Sequence, residues 1–237
     1  MCTVTIVPYD DGFRLVCNRD ERRDRQAALA PSLRHFRRNR AIFPVDPAGG
    51  GTWVGVNGWG LAAALLNRKP ESAAPRRNRS LRSRGLIIPG LLDAGSWTDA
   101  LDMAAQLDPG QFDLFRLVLA QRMVAAVVTS DGRALSIETI GISGPFMLTS
   151  SSLGDAVVEA PRRRLFEQLV VNNAREWLPA QTRFHAHQWR SRTDISVNME
   201  RPDARTVSRT VIDVTSQVVG LCYESLGSSG RRTDRAA

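Results

Sequence analysis

Met1-Cys2-Thr3-Val4-Thr5-Ile6-Val7, then Asp10-Asp11-Gly12, then Phe13-Arg14-Leu15-Val16-Cys17-Asn18-Arg19-Asp20-Glu21 is the stretch on which the fold turns. Two apolar, β-branched runs flank a turn signal, so the segment reads as a β-hairpin. The hairpin carries Asn18 to Glu21 back beside the amino terminus. Cys2 follows an initiator methionine of the kind normally trimmed before a small side chain, and trimming leaves a thiol and a free α-amine on one carbon. That amine, with an unperturbed pKa of ~7.7–8.0, is partly neutral at neutral pH and can accept a proton. A nucleophile served by its own terminal amine is an established way to activate Ser, Thr or Cys. Arg19 beside the thiol favours thiolate, and a carboxylate such as Asp20 orients the amine. The charges from Arg22 through Arg25 read instead as a solvated, salt-bridged turn.

Working outward, residues 27–47 are arginine-rich with few periodic apolar positions, which predicts an extended crossing and loop. Strands over 52–56 and 61–65 meet at Asn57-Gly58, a strong hairpin signal. Residues 70–80 are polar and rich in proline and arginine, an exposed loop. Helices follow over 81–92, where Pro89 kinks or divides the run, and over 98–107. Strands are expected over 115–120, 123–130, 135–140 and 146–149. A helix over 160–177 places Leu165, Phe166, Leu169 and Val170 on one apolar stripe. Strands over 195–199, 206–214 and 218–224 close the chain. Strands, helices, strands, helix, strands is the pattern of two stacked antiparallel sheets with helices outside. Periodicity alone leaves other α+β layerings open.

The hairpin motif and several later blocks together resemble a known family. Met1-Cys2-Thr3 with Asn18-Arg19-Asp20-Glu21 is similar to the Asn-Arg-Asp-Glu family, also named Transport and Golgi organisation 2. The likeness continues in Gly50-Gly51-Thr52-Trp53-Val54-Gly55-Val56, in Gly60 through Arg68 and in Ser83-Arg84-Gly85-Leu86. It returns in Leu148 through Ser152 and in Arg201 through Ser208. The resemblance implies an N-terminal-nucleophile hydrolase fold, a four-layer αββα sandwich, as one domain over 1–226 with a disordered basic tail over 227–237. It places Cys2, Asn18, Arg19, Asp20 and Glu21 at a catalytic centre, with Asn67 and Ser150 as oxyanion donors. From the residues themselves, Trp53 either walls an apolar acyl pocket or belongs to the core, and Arg205 either meets an anionic substrate or pairs on the surface. Ser150 or Ser151 stands where many members carry asparagine, which weakens that donor. The implied chemistry is amidase or acyl transfer on a small-molecule amide or acyl substrate, without a cofactor. The alternative on the same fold is a carrier of haem or acyl-coenzyme A, such as one that traffics haem.

Composition bounds these readings. A chain of 237 residues with 43% hydrophobic side chains supplies one sizeable core. No apolar run approaches the ~20 residues that span a bilayer. No secretory signal precedes Asp10-Asp11, and Cys2, Cys17 and Cys222 make no disulfide framework, so a cytoplasmic protein is expected. Cys17 and Cys222 read as core. The net charge of +8 is almost all arginine, Lys69 being the sole lysine. Its clusters lack the interleaved aromatics of a nucleic-acid platform, and no nucleic-acid motif is present. His35, His185 and His187 form no metal-ligand pattern. No Gly-x-Ser-x-Gly elbow and no dinucleotide fingerprint occur.

Overall fold

The computed structural model describes residues 2–69, 81–226 and 232–236. The loop expected over 70–80 lies outside them.

Strands β1 (Cys2–Tyr9) and β2 (Gly12–Arg22) form the expected hairpin, in register from Cys2↔Arg19 to Tyr9↔Gly12. Asp10 takes the left-handed turn conformation at φ 51°. Gly12 is required by crowding, since a Cβ there would lie 1.8 Å from the Val214 carbonyl oxygen.

β3 (Leu29–His35) and β4 (Arg40–Val45) are a second hairpin, where the sequence predicts a crossing and loop. The reason is legible in burial. β3 is an edge strand exposed along nearly its whole length, so no apolar alternation marks it. β5 (Val54–Asn57) and β6 (Ala62–Asn67) follow as expected. The Asn57 carboxamide builds their turn, accepting from the Trp59 and Leu61 N–H groups and donating to the Leu92 carbonyl.

α1 (Ile87–Leu91) continues a 3₁₀ turn at Arg84–Leu86, and α2 (Trp97–Ala105) starts where the Ser96 hydroxyl accepts from the Asp99 N–H. β7 (Phe115–Gln121), β8 (Val124–Ser130), β9 (Leu135–Gly141) and β10 (Phe146–Thr149) match expectation closely.

The single helix expected over 160–177 is corrected. α3 spans Asp155–Phe166, a π-turn spans Glu167–Val171, and α4 (Trp177–Ala186) is a separate helix. The Asn173 side chain donates to the Gln168 and Leu169 carbonyls, which stops the first helix. α4 carries Pro179 in its first turn, where a missing N–H costs nothing. The strand expected over 195–199 is also corrected. Its backbone groups are spent elsewhere: Ile195 and Ser196 carbonyls accept from Arg162, and the Asn198 N–H donates to His187.

β11 (Ala204–Val214), β12 (Val219–Ser225) and β13 (Arg232–Ala236) end the chain. β13 pairs along β12 inside the stretch that composition assigns to a disordered tail. The expectation is corrected there because an open sheet edge accepts a strand through its backbone, whatever the side chains.

One sheet runs β10-β1-β2-β11-β12-β13 and the other β3-β4-β5-β6-β7-β8-β9, with antiparallel neighbours throughout. Three apolar layers hold the stack. Val4, Ile6, Phe13 and Leu15 meet Val54, Val56 and Val118 between the sheets. α1 and α2 cover the outer face of the second sheet through Ile88, Leu91, Leu92 and Ala100. α3 and α4 cover the first through Leu165, Phe166 and Phe184. Each fully buried large side chain of this kind contributes about 1.5–3 kcal/mol. The result is the expected four-layer αββα sandwich, and none of the described helices is long and apolar enough to cross a membrane.

Candidate functional site

Side chains alternate across a strand, and this alternation divides the hairpin's motif. Residues directly opposite in an antiparallel pair share a face, so Cys2 and Arg19 point the same way. Cys17 and Glu21 lie on that face with them. Asn18 and Asp20 point to the other, toward α3 and α4. Cys2, Arg19, Glu21, Trp53 and Asn67 line one cavity of about 440 Å³. Asn18, Asp20, Ser150 and Arg205 are not among its lining residues.

Cys2 is 4% exposed. Its thiol sits below the usual range chiefly because the Cys17 thiol hydrogen-bonds to it, against the opposing effects of burial and the Asp20 charge, with the Arg19 guanidinium adding a smaller favourable charge. Cys17 is driven well above the usual range by that same contact and by burial. The Cys17 Sγ lies against Cys2 and also donates to the Asn18 carbonyl at 3.8 Å. The sequence predicts Cys17 as a core residue alone. Only the diagonal register of β1 on β2, with Val4 opposite Cys17, reveals the contact.

Arg19 is clamped. Its Nη2 donates to Asp46 at 2.8 Å and lies 3.5 Å from Glu21, and its guanidinium carbon stands 4.1 Å from the Trp53 ring centroid. A stacked, paired guanidinium of this kind is held in one orientation. Asp46 also accepts from Arg25 at 2.6 Å. Although burial acts to raise the Asp46 carboxyl, the Arg25 hydrogen bond and the Arg19 charge hold it below the usual range. Arg25 thus lines the cavity, while Arg22 and Asp24 do form the expected exposed pair. The Asn67 carboxamide at the end of β6 reaches the cavity and has no hydrogen-bond partner among the described residues.

The far wall comes from a glycine contact. The Thr52 N–H donates to the Gly85 carbonyl at 2.9 Å, and a Cβ on Gly51 would lie 2.3 Å from that same carbonyl. Two backbones in direct contact fix the turn carrying Arg84 against the turn that presents Trp53. The paired blocks Gly50-Gly51-Thr52 and Ser83-Arg84-Gly85 thereby gain a physical reason.

Ser150 sits elsewhere than a carbonyl-binding donor needs. Its N–H donates to the Cys2 carbonyl at 2.9 Å, and its hydroxyl lies 3.2 Å from the Cys2 main-chain nitrogen. Strand β10 brings it there by pairing with β1, Thr149 opposite Thr3. Arg205 stands opposite Glu21 on β11, and its Nε is buried without a partner among the described residues.

Behind the hairpin lies a dry polar layer. The Asn18 Nδ2 donates to the His185 and Val197 carbonyls, which fixes its Oδ1 as an acceptor. His185 Nδ1, 3.0 Å from that oxygen, must then carry the proton, and Nε2 accepts from the Thr5 hydroxyl at 2.7 Å. Burial and the Arg209 and Arg162 charges hold the ring neutral, its pKa well below ordinary. Arg162, 1% exposed, donates to the Thr3 and Thr149 hydroxyls and to two carbonyls. The Asp20 carboxyl is raised by burial, with Arg162 the leading opposing charge, and accepts from Thr206 at 2.6 Å.

The model of the Transport and Golgi organisation 2 family matches residues 1–217. The chain belongs to that family. None of the curated proteins compared matches it. Among solved structures it is similar to a Caenorhabditis elegans orthologue of N-acylethanolamine-hydrolyzing acid amidase, at TM-score 0.57 and 12% identity, covering 89% of this chain and 92% of that one. A variant of conjugated bile acid hydrolase from Clostridium perfringens is similar at TM-score 0.55 and 10% identity, covering 98% and 92%. A cysteine-to-alanine mutant of that hydrolase gives TM-score 0.52, 10% identity and coverage of 99% and 92%. At such identities the likeness is one of fold, and the family member described here has the fold of N-terminal-nucleophile hydrolases.

Proposed function

We propose that this family member is a cysteine N-terminal-nucleophile enzyme acting on the carbon–nitrogen bond of a small linear amide, or transferring the acyl group of a related substrate. The observation that carries the reading is Cys2. Its thiol is in the cavity wall, lowered by Cys17 and Arg19, while its nitrogen is held by Ser150. The solved structures of similar fold include, by name, an amidase and a hydrolase.

Removal of Met1 makes the Cys2 nitrogen a free amine. That amine takes the thiol proton, and the thiolate attacks the substrate carbonyl carbon, forming a C–S bond and an oxyanion. The Asn67 amide, which lines the same cavity and has no partner among the described residues, donates to that oxygen. Collapse breaks the C–N bond as the α-ammonium passes its proton to the leaving amine. Water, deprotonated by the amine, then cleaves the thioester and regenerates the thiol. Arg19 stabilises the thiolate, and Glu21 with Asp46 holds Arg19. Asn18 and Asp20 act from behind the strand as positioning residues, and Ser150 orients the amine instead of serving the oxyanion. No cofactor enters this scheme, and the compartment proposed is the cytoplasm.

In the alternative, the cavity carries haem or acyl-coenzyme A. No histidine lines it among the described residues, and both ring nitrogens of His185 are occupied. Haem there would draw on Cys2 alone as a side-chain ligand, so the residues present fit the hydrolase better. Intact mass before and after exposure to activated amides, thioesters and lactones tests the two. Loss of Met1 with one acyl adduct, absent in Cys2→Ala, supports the enzyme. Retained Met1 removes the base and overturns it. A haem Soret shift unchanged in Cys2→Ala favours the carrier.

A further inference from the structure

The two walls of the Cys2 cavity differ in how their charges are spent. On the β2 side, Asp46 lies 2.8 Å from Arg19 and 2.6 Å from Arg25, and Glu21 stands 3.5 and 3.6 Å from the same two cations. Those carboxylates are engaged. On the opposite wall stand Arg82 and Arg84. Arg82 contacts only the neutral Gln111 carboxamide and the Phe112 ring among the described residues. Arg84 is 23% exposed and donates to the Leu114 carbonyl at 2.8 Å. Its carboxylate neighbour, Asp113, is 3.7 Å away and 56% exposed, too far for a hydrogen bond and well screened by water. Burial lowers the Arg84 pKa, and Asp113, Cys2 and Glu21 are the charges acting against it. A largely desolvated cation with so weak a counter-charge gains most from a ligand anion that reaches it. The Gly51–Gly85 backbone contact keeps it from swinging away. Among the described residues the apolar side chains of the wall are few, Leu65, Trp53 and Leu81, in a cavity of about 440 Å³.

We infer that Arg84 is a specificity-determining residue that anchors an anionic group, so that the substrate is a short polar amide bearing a carboxylate or similar anion. This rests on the reading of Cys2 as nucleophile for its chemistry, but not for its binding. Arg82 would widen the anion site at its mouth. The anion can belong to the acyl part or to the amine part of the amide, and both present the same group to Arg84.

Calorimetry on the full chain with glutarate and with its neutral isostere glutaramide tests the anchor directly. Glutarate is expected to bind at least about tenfold tighter than glutaramide, the worth of one charge-assisted contact. Arg84→Gln should erase that margin and Arg84→Lys restore part of it. Should Arg84→Gln fold poorly, Asp113→Asn serves: it removes a competing carboxylate at an exposed position and should tighten glutarate several-fold. Equal affinity for the two probes, binding of neither, or indifference to both substitutions overturns the anchor. Turnover of an N-glutaryl anilide against an N-butanoyl aminobenzoate then tells the acyl side from the amine side. Glutarate binding as expected with neither amide cleaved would leave the anion site standing and remove the hydrolytic reading.

Discussion

Between Asn18 and Arg19 the β2 strand passes from one world to another. Asn18 enters a dry layer in which its carboxamide, His185, Thr5 and Arg162 are satisfied by one another and by carbonyls. Arg19, one residue on, faces a cavity with Cys2 and sets its guanidinium near a thiol. The same four-residue motif therefore does two jobs. One face holds the strand in place, and the other carries groups able to react. The difference teaches that polarity in a strand says nothing of role until the neighbouring layer is known. A buried polar group with every partner supplied is scaffold, whereas a buried cation or thiol facing space has reactivity to spare.

The sharpest test of that contrast is Arg162→Met. It strips four hydrogen bonds from the rear layer and removes the leading counter-charge of Asp20. A loss of about 3–5 kcal/mol in urea unfolding is expected. A loss below about 1 kcal/mol would mean that the rear layer is not scaffold.

Cys2→Ala is the counterpart on the cavity face. Only about 1–2 kcal/mol should go with a small buried side chain, while every acyl adduct disappears. An adduct that survives the substitution would move the chemistry off this face altogether.

A pH series separates the faces again. Below the ordinary imidazole value of 6.5 the unfolded chain binds a proton that buried, neutral His185 refuses. Stability is thus complete above that pH and falls as acid is added, by up to about 1.4 kcal/mol per pH unit from this group. Urea midpoints measured from about pH 7 to pH 5 should fall more steeply in the wild type than in His185→Gln. Parallel slopes would contradict a His185 held neutral by burial.

A smaller effect is expected at Cys17. Alkylation of Cys2 by iodoacetamide should shift its pH midpoint upward in Cys17→Ala, because the donor to the thiolate is gone, and should return toward wild type in Cys17→Ser. An unchanged midpoint in Cys17→Ala would leave Arg19 as the principal stabiliser of the thiolate. Least of all, Arg22→Ala at the exposed pair with Asp24 should leave both the urea midpoint and Cys2 alkylation unchanged.

Much of this was readable before any fold. Alternation in β1 and β2, the Asp10-Asp11-Gly12 turn and the apolar runs of β7 to β10 are local signals, and each element formed where its pattern stood. Cys2, Arg19, Glu21, Trp53 and Asn67, all within or beside the motif blocks, line one cavity. What escaped depends on partners far along the chain. β3 is written in exposed residues and exists because β4 offers an edge. The segment 195–199 is apolar enough for a strand, but Arg162 consumes its carbonyls. Ser150 reads as a donor to substrate until β10 sets it on the Cys2 nitrogen.

By itself, then, the sequence determined the hairpin that opens the chain, the cysteine at its start, the family and the layered class of fold. Only the tertiary structure decided which motif residues share a face with Cys2, that Cys17 lies against it, and that Arg84, about sixty residues beyond β2 in the chain, closes the cavity. The physical reason is the range of the forces involved. Turn geometry and side-chain alternation act over a few residues and leave their mark in any short window. Hydrogen-bond partners, desolvation and charge pairing are settled by neighbours that only strand pairing and layer stacking bring together.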